Sequence, residues 1–399
     1  MEALKVRPDI ATFITSVSEH IGVKNPTITS ITTNQKGEGY LGEIFMVTVA
    51  DPHGHRHQFV IKAAFVEEKI RELAPIRKSF QNETYFYTHL CSAFRKFAGT
   101  TPDFVPECYK TVVDENREML ALENLKEKGF ECFDKTVELD EKHVELIFKT
   151  YGRFHALSFA LRDQEPEKYE KLAKGLFNVY GEFLGKKFFP EHLVEMGKVV
   201  GKAFVPGEDD DVIDAYRKYS GDNIVDFFAS CIASEPEYSA LLHGDCWSNN
   251  MMFKYQGGTV TDIRLIDWQL MKSGSPVCDL SYCLYSGASK QIFDNLDHYL
   301  RIYHDSFSDC VTELGSDPHK LYPFEALKAD WKKYAKFGMI MSFSILRMKL
   351  THKEDIIDLT DGFEMDEINE VFANMKFNET DYYSRIRGLV RHMFEIGAL

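Results

Sequence analysis

The chain has 399 residues, of which 44% are hydrophobic and 27% charged, and this is the composition of a globular protein of two or three domains or of one two-lobed enzyme. Its net charge of −15 disfavours nucleic acid and anionic membranes as partners. Because it lacks an apolar leader, a run of about 18 apolar residues and any Cys-x-x-Cys pair among its eight cysteines, we expect a cytoplasmic protein with free thiols.

The first 125 or so residues predict a small antiparallel sheet with a helix laid on it. Apolar residues recur at helical spacing in two segments, and two pairs of β-like runs are each joined by a turn sequence. In chain order these are the helix 9–21, the hairpin formed by 43–50 and 57–64, the helix 76–97, and the hairpin formed by 112–113 and 119–122.

After Gly129 helical spacing dominates, and the alternating run 260–266 is the exception that predicts a short strand. A small β-rich part before a larger helical part indicates an α+β, two-lobed arrangement. We therefore predict an N-terminal nucleotide-binding lobe over residues 1–126 and a C-terminal lobe over residues 127–399. The second lobe would carry the catalytic loop and the acceptor-binding helices.

Residues 241–253 carry the strongest signal for chemistry. An apolar pair runs into a polar loop that holds Asp245 and then Asn250, and the chain returns to apolar residues. Phosphoryl transfer needs a carboxylate that receives the proton of the acceptor hydroxyl and an oxygen ligand for magnesium, and these two residues supply both. Asp267 follows the apolar run 263–266 and supplies a second, carboxylate ligand for magnesium.

A single aspartate is more often a turn cap than a catalytic group, but the pattern His-x-Asp-x-x-x-x-Asn with Asp267 after it is far more restrictive. We therefore interpret Asp245 as the catalytic base and Asn250 with Asp267 as the metal ligands. His243 is interpreted as a structural residue that packs the loop and not as a proton shuttle.

Upstream, Gly37, Gly39 and Gly42 form a Gly-x-Gly-x-x-Gly pattern. A dinucleotide-binding site would need a strand before it and a helix after it, whereas here a strand follows. A glycine-rich hairpin that closes over nucleotide phosphates fits the pattern, and a flexible surface hairpin is the alternative.

Lys62 ends an apolar strand after that hairpin, and Glu83 lies on the next predicted helix. In a kinase this lysine would contact the phosphates of ATP and would need a carboxylate partner, although a solvated lysine and an exposed glutamate are the simpler readings. At the presumed lobe boundary, backbone groups from Glu123 to Leu125 are expected to hydrogen-bond the adenine edge.

Several motifs together resemble the ecdysteroid kinase-like family, which is related to choline kinases and aminoglycoside phosphotransferases. The motifs that carry the resemblance are 122–125, 243–250, 265–269, and 274–276 with 279–280. The resemblance implies a kinase-like fold, with ATP and Mg²⁺ as cofactors and the roles given above for Lys62, Glu83, Asp245, Asn250 and Asp267. It also implies that Asp279 braces the catalytic loop; a helix N-cap is the simpler role for that residue, and the two roles are compatible. The chain departs from the family in having Trp268 after the metal-binding aspartate and Cys246 after the catalytic one.

A protein kinase is disfavoured, because only residues 268–278 separate Asp267 from Asp279 and leave no room for an extended activation segment. A nucleotide-binding pseudokinase remains an alternative, although Lys62, Asp245, Asn250 and Asp267 are all present. The predicted acceptor is a small hydroxylated molecule.

We expect aromatic residues between His155 and His243 to line an apolar pocket for a bulky neutral alcohol such as an ecdysteroid, or else simply to pack helices. An acceptor of the choline or aminoglycoside type is the alternative, and a quaternary amine would want an aromatic cage with carboxylates such as the acidic run 208–211. The aromatic residues in question are Phe177, Tyr180, Phe183, Phe188, Phe189, Phe204, Tyr216, Tyr219, Phe227 and Phe228.

Overall fold

The computed structural model describes residues 7–33, 41–114, 117–356 and 374–399. The chain begins with a five-stranded antiparallel sheet and continues into a mostly helical region, so the predicted α+β arrangement with a β-rich N-terminal part is confirmed. The helices are α1 Pro8–His20, α2 Glu68–Leu73, α3 Ile76–Tyr85, α4 Cys91–Ala98, α5 Glu141–Gln164, α6 Pro166–Lys174, α7 Val179–Leu184, α8 Phe188–Gly201, α9 Asp210–Tyr216, α10 Asn223–Ala233, α11 Pro276–Gly287, α12 Lys290–Phe293, α13 Leu296–Glu313, α14 Pro318–Leu321, α15 Phe324–Tyr334, α16 Lys336–Leu350 and α17 Glu379–Glu395.

The N-terminal sheet contains both predicted hairpins, and its order along the sheet is β1-β2-β3-β5-β4. Its strands are β1 Thr27–Thr33, β2 Gly42–Ala50, β3 Arg56–Ala64, β4 Cys108–Asp114 and β5 Arg117–Glu123. The first strand was not predicted, because its exposed threonines and serine give no apolar alternation. The predicted helix 76–97 is observed as α3 and α4 with a π-helical turn, Phe86–Leu90, between them.

Strand alternation gives the sheet two apolar faces with different partners. One face packs on α1, where Phe59, Ile61 and Ala63 of β3 meet Phe13 and Val17. The intervening residues of β3 point to the opposite face, which looks towards the helical region. Lys62 lies on that second face, so alternation alone directs its side chain towards the interior of the molecule.

Short strands organise the region that follows. They are β6 Phe130–Cys132, β7 Ala240–Leu242, β8 Met251–Gln256, β9 Thr259–Leu265 and β10 Lys272–Gly274. The predicted strand over 260–266 is confirmed as β9, which pairs with β8, and β8 pairs with β6. Strand β5 is the last strand of the N-terminal sheet along the chain and ends at Glu123. Strand β6 belongs to the separate sheet that it forms with β8 and β9. The predicted boundary between residues 126 and 127 lies between these two strands and stays a prediction.

The main hydrophobic core lies among the helices, and α5, α11, α13 and α16 supply much of it. All eight cysteines fall within the described residues and are free thiols. Within the ranges that the structure describes, no helix combines the length and the apolar character needed to cross a membrane.

Candidate active site

The backbone of the loop between β7 and β8 is hydrogen-bonded to a single buried carboxylate. Asp279, which is fully buried in the first turn of α11, accepts hydrogen bonds from the backbone N–H of His243 at 2.7 Å and of Gly244 at 3.0 Å. Ser275 and not Asp279 caps α11, because the Ser275 hydroxyl accepts from Val277 N–H. The bracing role is therefore the one that the geometry supports, and the N-cap role is wrong.

Gly244 is the one position of this loop where only glycine fits. Its φ is +86°, and a Cβ there would lie 2.0 Å from the carbonyl oxygen of Leu270. Its own carbonyl accepts a hydrogen bond from the hydroxyl of Tyr180 at 2.7 Å. The loop is thus fixed from α11 on one side and from α7 on the other.

The hydrogen bonds of His243 define its protonation state. Its Nδ1 accepts from the backbone N–H of Asp245 at 3.2 Å, so the proton is on Nε2, which donates to the carbonyl of Ile266 at 3.0 Å. Burial lowers the pKa of this imidazole, which keeps it neutral. His243 therefore ties the loop to the strand end before Asp267, as expected of a structural residue.

Both carboxylate oxygens of Asp245 are oriented by neighbours. Oδ1 accepts from the hydroxyl of Tyr282 at 2.9 Å, and Oδ2 accepts from the amide of Asn250 at 2.7 Å. Burial, reinforced by the nearby charge of Asp267, raises the pKa of Asp245 to about 7, and the two hydrogen bonds oppose this shift. Each oxygen retains a second lone pair, so this carboxylate can still accept a proton from a bound hydroxyl.

Asp267 occupies a left-handed backbone conformation, with φ of +68°, directly after β9. Its Oδ1 lies 2.7 Å from Lys62 Nζ, and the same ammonium lies 2.7 Å from Glu83 Oε2. Burial disfavours the charge of Lys62, but the carboxylates of Asp267 and Glu83 outweigh this effect and raise its pKa. The structure thus brings four predicted site residues together. Lys62 contacts Glu83 and Asp267, and Asp245 lines the same cavity as Asp267.

The donor set beside Asp267 fits magnesium. The amide nitrogen of Asn250 is used by Asp245, so its amide oxygen is the atom left for a cation. Asp267 retains Oδ2, and both residues line the same cavity. In the described part of the chain, no three His, Cys, Asp or Glu side chains form a metal cluster. Two hard oxygen ligands completed by phosphate oxygens are what Mg²⁺ takes in nucleotide sites.

A cavity of about 780 Å³ runs past these residues. On its sheet side the walls include Ile44, Val60 and Leu122, together with Glu123 and Leu125 at the predicted adenine edge. Asn124 shapes that edge, because its side chain caps the turn Leu125–Lys128 by accepting from the N–H of Lys126. The cavity is therefore continuous from the end of β5 to the catalytic loop.

Of the three glycines in the predicted phosphate hairpin, Gly42 lies within the described residues. Gly37 and Gly39 lie outside the described residues. Gly42 begins β2 and lines the cavity, and a Cβ there would lie 2.3 Å from the carbonyl oxygen of Ala63 and 3.0 Å from the ring of Phe80. Close packing of β2 on β3 therefore requires glycine at position 42.

The family model described as the ecdysteroid kinase-like family matches residues 36–316 of this chain. The chain belongs to the ecdysteroid kinase-like family. Membership in this family supports a small-molecule kinase. A comparison with curated proteins found no match.

Two solved structures are similar to this ecdysteroid kinase-like chain. The GDP complex of wild-type aminoglycoside 2'-phosphotransferase-IIIa matches with 11% identity and a TM-score of 0.40, covering 85% of this chain and 99% of that chain. The GDP and kanamycin complex of APH(2")-IIia matches with 12% identity and a TM-score of 0.37, covering 84% of this chain and 98% of that chain.

The sequence did not reveal the contacts that three residues of this ecdysteroid kinase-like chain make around the site, although Tyr180 was among the candidate pocket aromatics. Tyr282 and Tyr180 hold Asp245 and Gly244, and Asn82 lies within 3.3 Å of the carbonyl oxygens of Phe177, Gln269 and Met271. A signal existed for Tyr282, because on a helix it stands three positions after Asp279 and so shares its face. The sequence offered no signal for the other two, since their partners are distant backbone groups.

The aromatic residues after His155 divide between the cavity wall and the core. Tyr180, Phe183, Phe188 and Phe189 line the cavity. Others pack in pairs away from it, as Phe204 does with Tyr216 and Tyr219 with Phe227. Part of the set therefore lines a cavity and part packs helices, and the acceptor of that cavity stays a prediction.

The acidic run 208–211 does not supply carboxylates to that cavity. Asp209 is buried, and its two oxygens contact Arg387 at 2.7 Å and Arg391 at 3.0 Å, both on α17. Glu208 also contacts Arg387, at 2.6 Å. This run fastens α9 to α17 and is neither an amine cage nor a purely solvated loop.

Proposed function

We propose that this protein transfers the γ-phosphate of ATP, with Mg²⁺, to a hydroxyl group of a small apolar alcohol such as an ecdysteroid. The observation that carries the proposal is the convergence of Lys62, Asp245, Asn250 and Asp267 on one cavity. Ecdysteroids enter through the family's description, and the apolar aromatic wall beyond Asp245 supports an acceptor of that character.

In this mechanism Asp245 acts as the catalytic base. The acceptor oxygen forms a bond to the γ-phosphorus while the bond from that phosphorus to the β–γ bridging oxygen breaks, and the proton of the hydroxyl passes to Asp245. Tyr282 and Asn250 hold the carboxylate in place, so little reorganisation is needed at that moment. Bound Mg²⁺, held by Asn250 and Asp267, would neutralise charge on the phosphate oxygens.

Lys62 is assigned to the phosphates, with Glu83 holding its ammonium in position. Gly42 is assigned to the phosphate side of the cavity, and for Gly37 and Gly39, which lie outside the described residues, the predicted role at the phosphates is kept as part of the proposal. The carbonyl of Glu123 and the amide of Leu125 are assigned to the adenine edge, because both residues line the sheet side of the cavity.

Two alternatives use the same fold. A kinase for choline or aminoglycosides would need carboxylates in the acceptor half of the cavity, which is the part lined by α7, α8 and α16. A nucleotide-binding pseudokinase would bind ATP without transferring phosphate, and the intact set of four polar residues argues against it.

The test is phosphorylation of ecdysone by the purified protein with ATP and Mg²⁺, with the product identified by mass spectrometry. Asp245→Asn should lower turnover by about 10²- to 10⁴-fold and leave ATP binding intact. The control Asp211→Asn changes an exposed carboxylate on α9 and should have no effect. ATP binding without transfer to ecdysone or to any alcohol in a metabolite extract would favour the pseudokinase. Transfer to choline or kanamycin alone would favour the other alternative.

A further inference from the structure

The acceptor half of the cavity is a chamber between two helices, and the inference drawn from it rests on the proposed function. Helix α8 presents one face to the chamber and α16 presents another, with residues at the spacing of successive helical turns. From α8 these are Phe188, Phe189, His192 and Leu193, and from α16 they are Ile340, Met341, Ser344, Ile345 and Met348. Arg347 of α16 also lines the cavity, and the remaining residues of these two walls are apolar except at one matching position on each helix.

The two polar side chains at that position contact each other across the chamber. His192 Nε2 and Ser344 Oγ are 2.9 Å apart and form a hydrogen bond that joins α8 to α16. Burial and the nearby charge of Arg347 lower the pKa of His192 to about 4, so the imidazole is neutral. The hydroxyl of Ser344 has one hydrogen and two lone pairs, so beside its bond to His192 it can donate to a ketone or accept from a hydroxyl of a ligand.

The pair is separated from the catalytic base along α16. Phe337 near the start of this helix packs on Tyr282, with ring centroids 6.3 Å apart, and Tyr282 contacts Asp245 directly. The helical rise of about 1.5 Å per residue places Ser344 about 10 Å further along the axis. Ile340 and Met341 line the chamber between these points. A rigid ring system is therefore the kind of acceptor that could reach from the catalytic base along this part of α16.

The side chains that α7, α8 and α16 contribute to the cavity disfavour a cationic group at the His192–Ser344 pair. None of the described lining residues on α7, α8 and α16 carries a carboxylate, whereas Arg347 of α16 carries a positive charge. Arg347 is buried and lies over the ring of Phe377 at 4.8 Å. An ammonium group entering this chamber would lose its hydration without gaining a counter-ion from those helices.

We propose that His192 and Ser344 form a specificity subsite for a neutral oxygen function, a ketone or a hydroxyl, at the end of the acceptor remote from the phosphorylated hydroxyl. The acceptor class is then a neutral, rigid, ring-containing alcohol with oxygen at both ends. The apolar walls bind its body, and the subsite sets which end faces Asp245.

Direct binding of two matched steroids tests the subsite. Epiandrosterone carries a hydroxyl and a ketone at opposite ends of its ring system, and androstanol lacks the ketone. Tryptophan fluorescence can follow binding, because Trp247 lines the cavity. We expect the wild-type protein to bind epiandrosterone about tenfold more tightly, which is one net hydrogen bond or about 1.4 kcal/mol.

Ser344→Ala and His192→Phe should bring that ratio close to one, and the control Ser230→Ala, which removes an exposed hydroxyl on α10 outside the cavity, should preserve it. A ratio near one in the wild type, an unchanged ratio in both variants, or binding of neither steroid would overturn the subsite. Phosphorylation is measured in parallel. Selective binding without phosphate transfer would contradict the proposed function and leave the subsite standing.

Discussion

Lys62 Nζ lies 2.7 Å from Asp267 Oδ1, although 205 residues separate them along the chain. This contact joins β3 of the N-terminal sheet to the end of β9 in the helical region. The ammonium also contacts Glu83 of α3, so one buried cation is shared by two carboxylates. Asp267 retains one oxygen outside this ion pair, which is why the same residue can be assigned to magnesium.

Replacing this cation should impair both function and stability. Lys62→Met is expected to lower kcat/KM for ATP by about 10²- to 10³-fold, because a preorganised positive group for the phosphates is lost. The thermal midpoint should also fall, because the fully buried Glu83 loses its partner. Steady-state kinetics and calorimetry measure the two effects, and Lys202→Met at an exposed site is the control. Unchanged kinetics would remove Lys62 from the site.

The metal assignment predicts a change in magnesium dependence. Asn250→Ala should raise the Mg²⁺ concentration that gives half-maximal activity by about 10- to 100-fold, because one of two protein oxygen ligands is removed. Asp267→Asn should abolish turnover. Titration of activity with Mg²⁺ measures both, and Asp226→Asn, which changes an exposed carboxylate, serves as the control. Full activity of Asp267→Asn at the wild-type Mg²⁺ concentration would contradict the assignment.

Tyr282 is expected to act by positioning the base. Tyr282→Phe removes the hydroxyl that donates to Asp245 at 2.9 Å, and kcat should fall by about 10- to 100-fold with KM for ATP unchanged. The matched control is Tyr285→Phe, one turn later on α11, whose hydroxyl accepts from the indole of Trp331. That variant should lose stability and retain kcat. Equal effects of the two variants on kcat would indicate a general effect on α11.

Lys349 predicts a pH dependence of stability. Its side chain is fully buried, its ammonium donates to the carbonyl of Ser286 at 3.0 Å, and burial lowers its pKa from 10.5 to about 8. Between these two values the unfolded chain binds more protons at this site than the folded chain, so stability rises with pH across that window. The penalty is largest below pH 8 and on the order of 3 kcal/mol.

Thermal unfolding at about pH 7 and about pH 10 measures this effect as a difference between proteins. Lys349→Met should gain stability relative to the wild type at the lower pH, and the gain should shrink at the higher pH. Lys218→Met, at an exposed position, should give no such difference. A constant difference between Lys349→Met and the wild type at both pH values would show that the lysine is not the titrating group.

Local patterns were enough to predict the two hairpins of the N-terminal sheet and the polar loop 243–250. The alternation in β2, β3 and β5 and the turn sequences between the runs are properties of neighbouring residues, so they can be read from the chain directly. Strand β1 and the π-helical turn after Tyr85 could not be predicted. The first has no apolar alternation, and the second depends on how its side chains pack.

By itself the sequence determined which chemical groups the protein has and how they are spaced along the chain. Asp245, Asn250 and Asp267 are separated by few residues in a restrictive pattern. Such spacing along the chain does not depend on how the rest of the chain folds. Only the tertiary structure decided what surrounds them. The hydroxyl of Tyr282 on Asp245, the ion pair of Lys62 with Asp267 and the chamber between α8 and α16 all join segments that are distant in sequence. Their positions depend on how complete helices and sheets pack, and this packing is set by contacts that no local pattern contains.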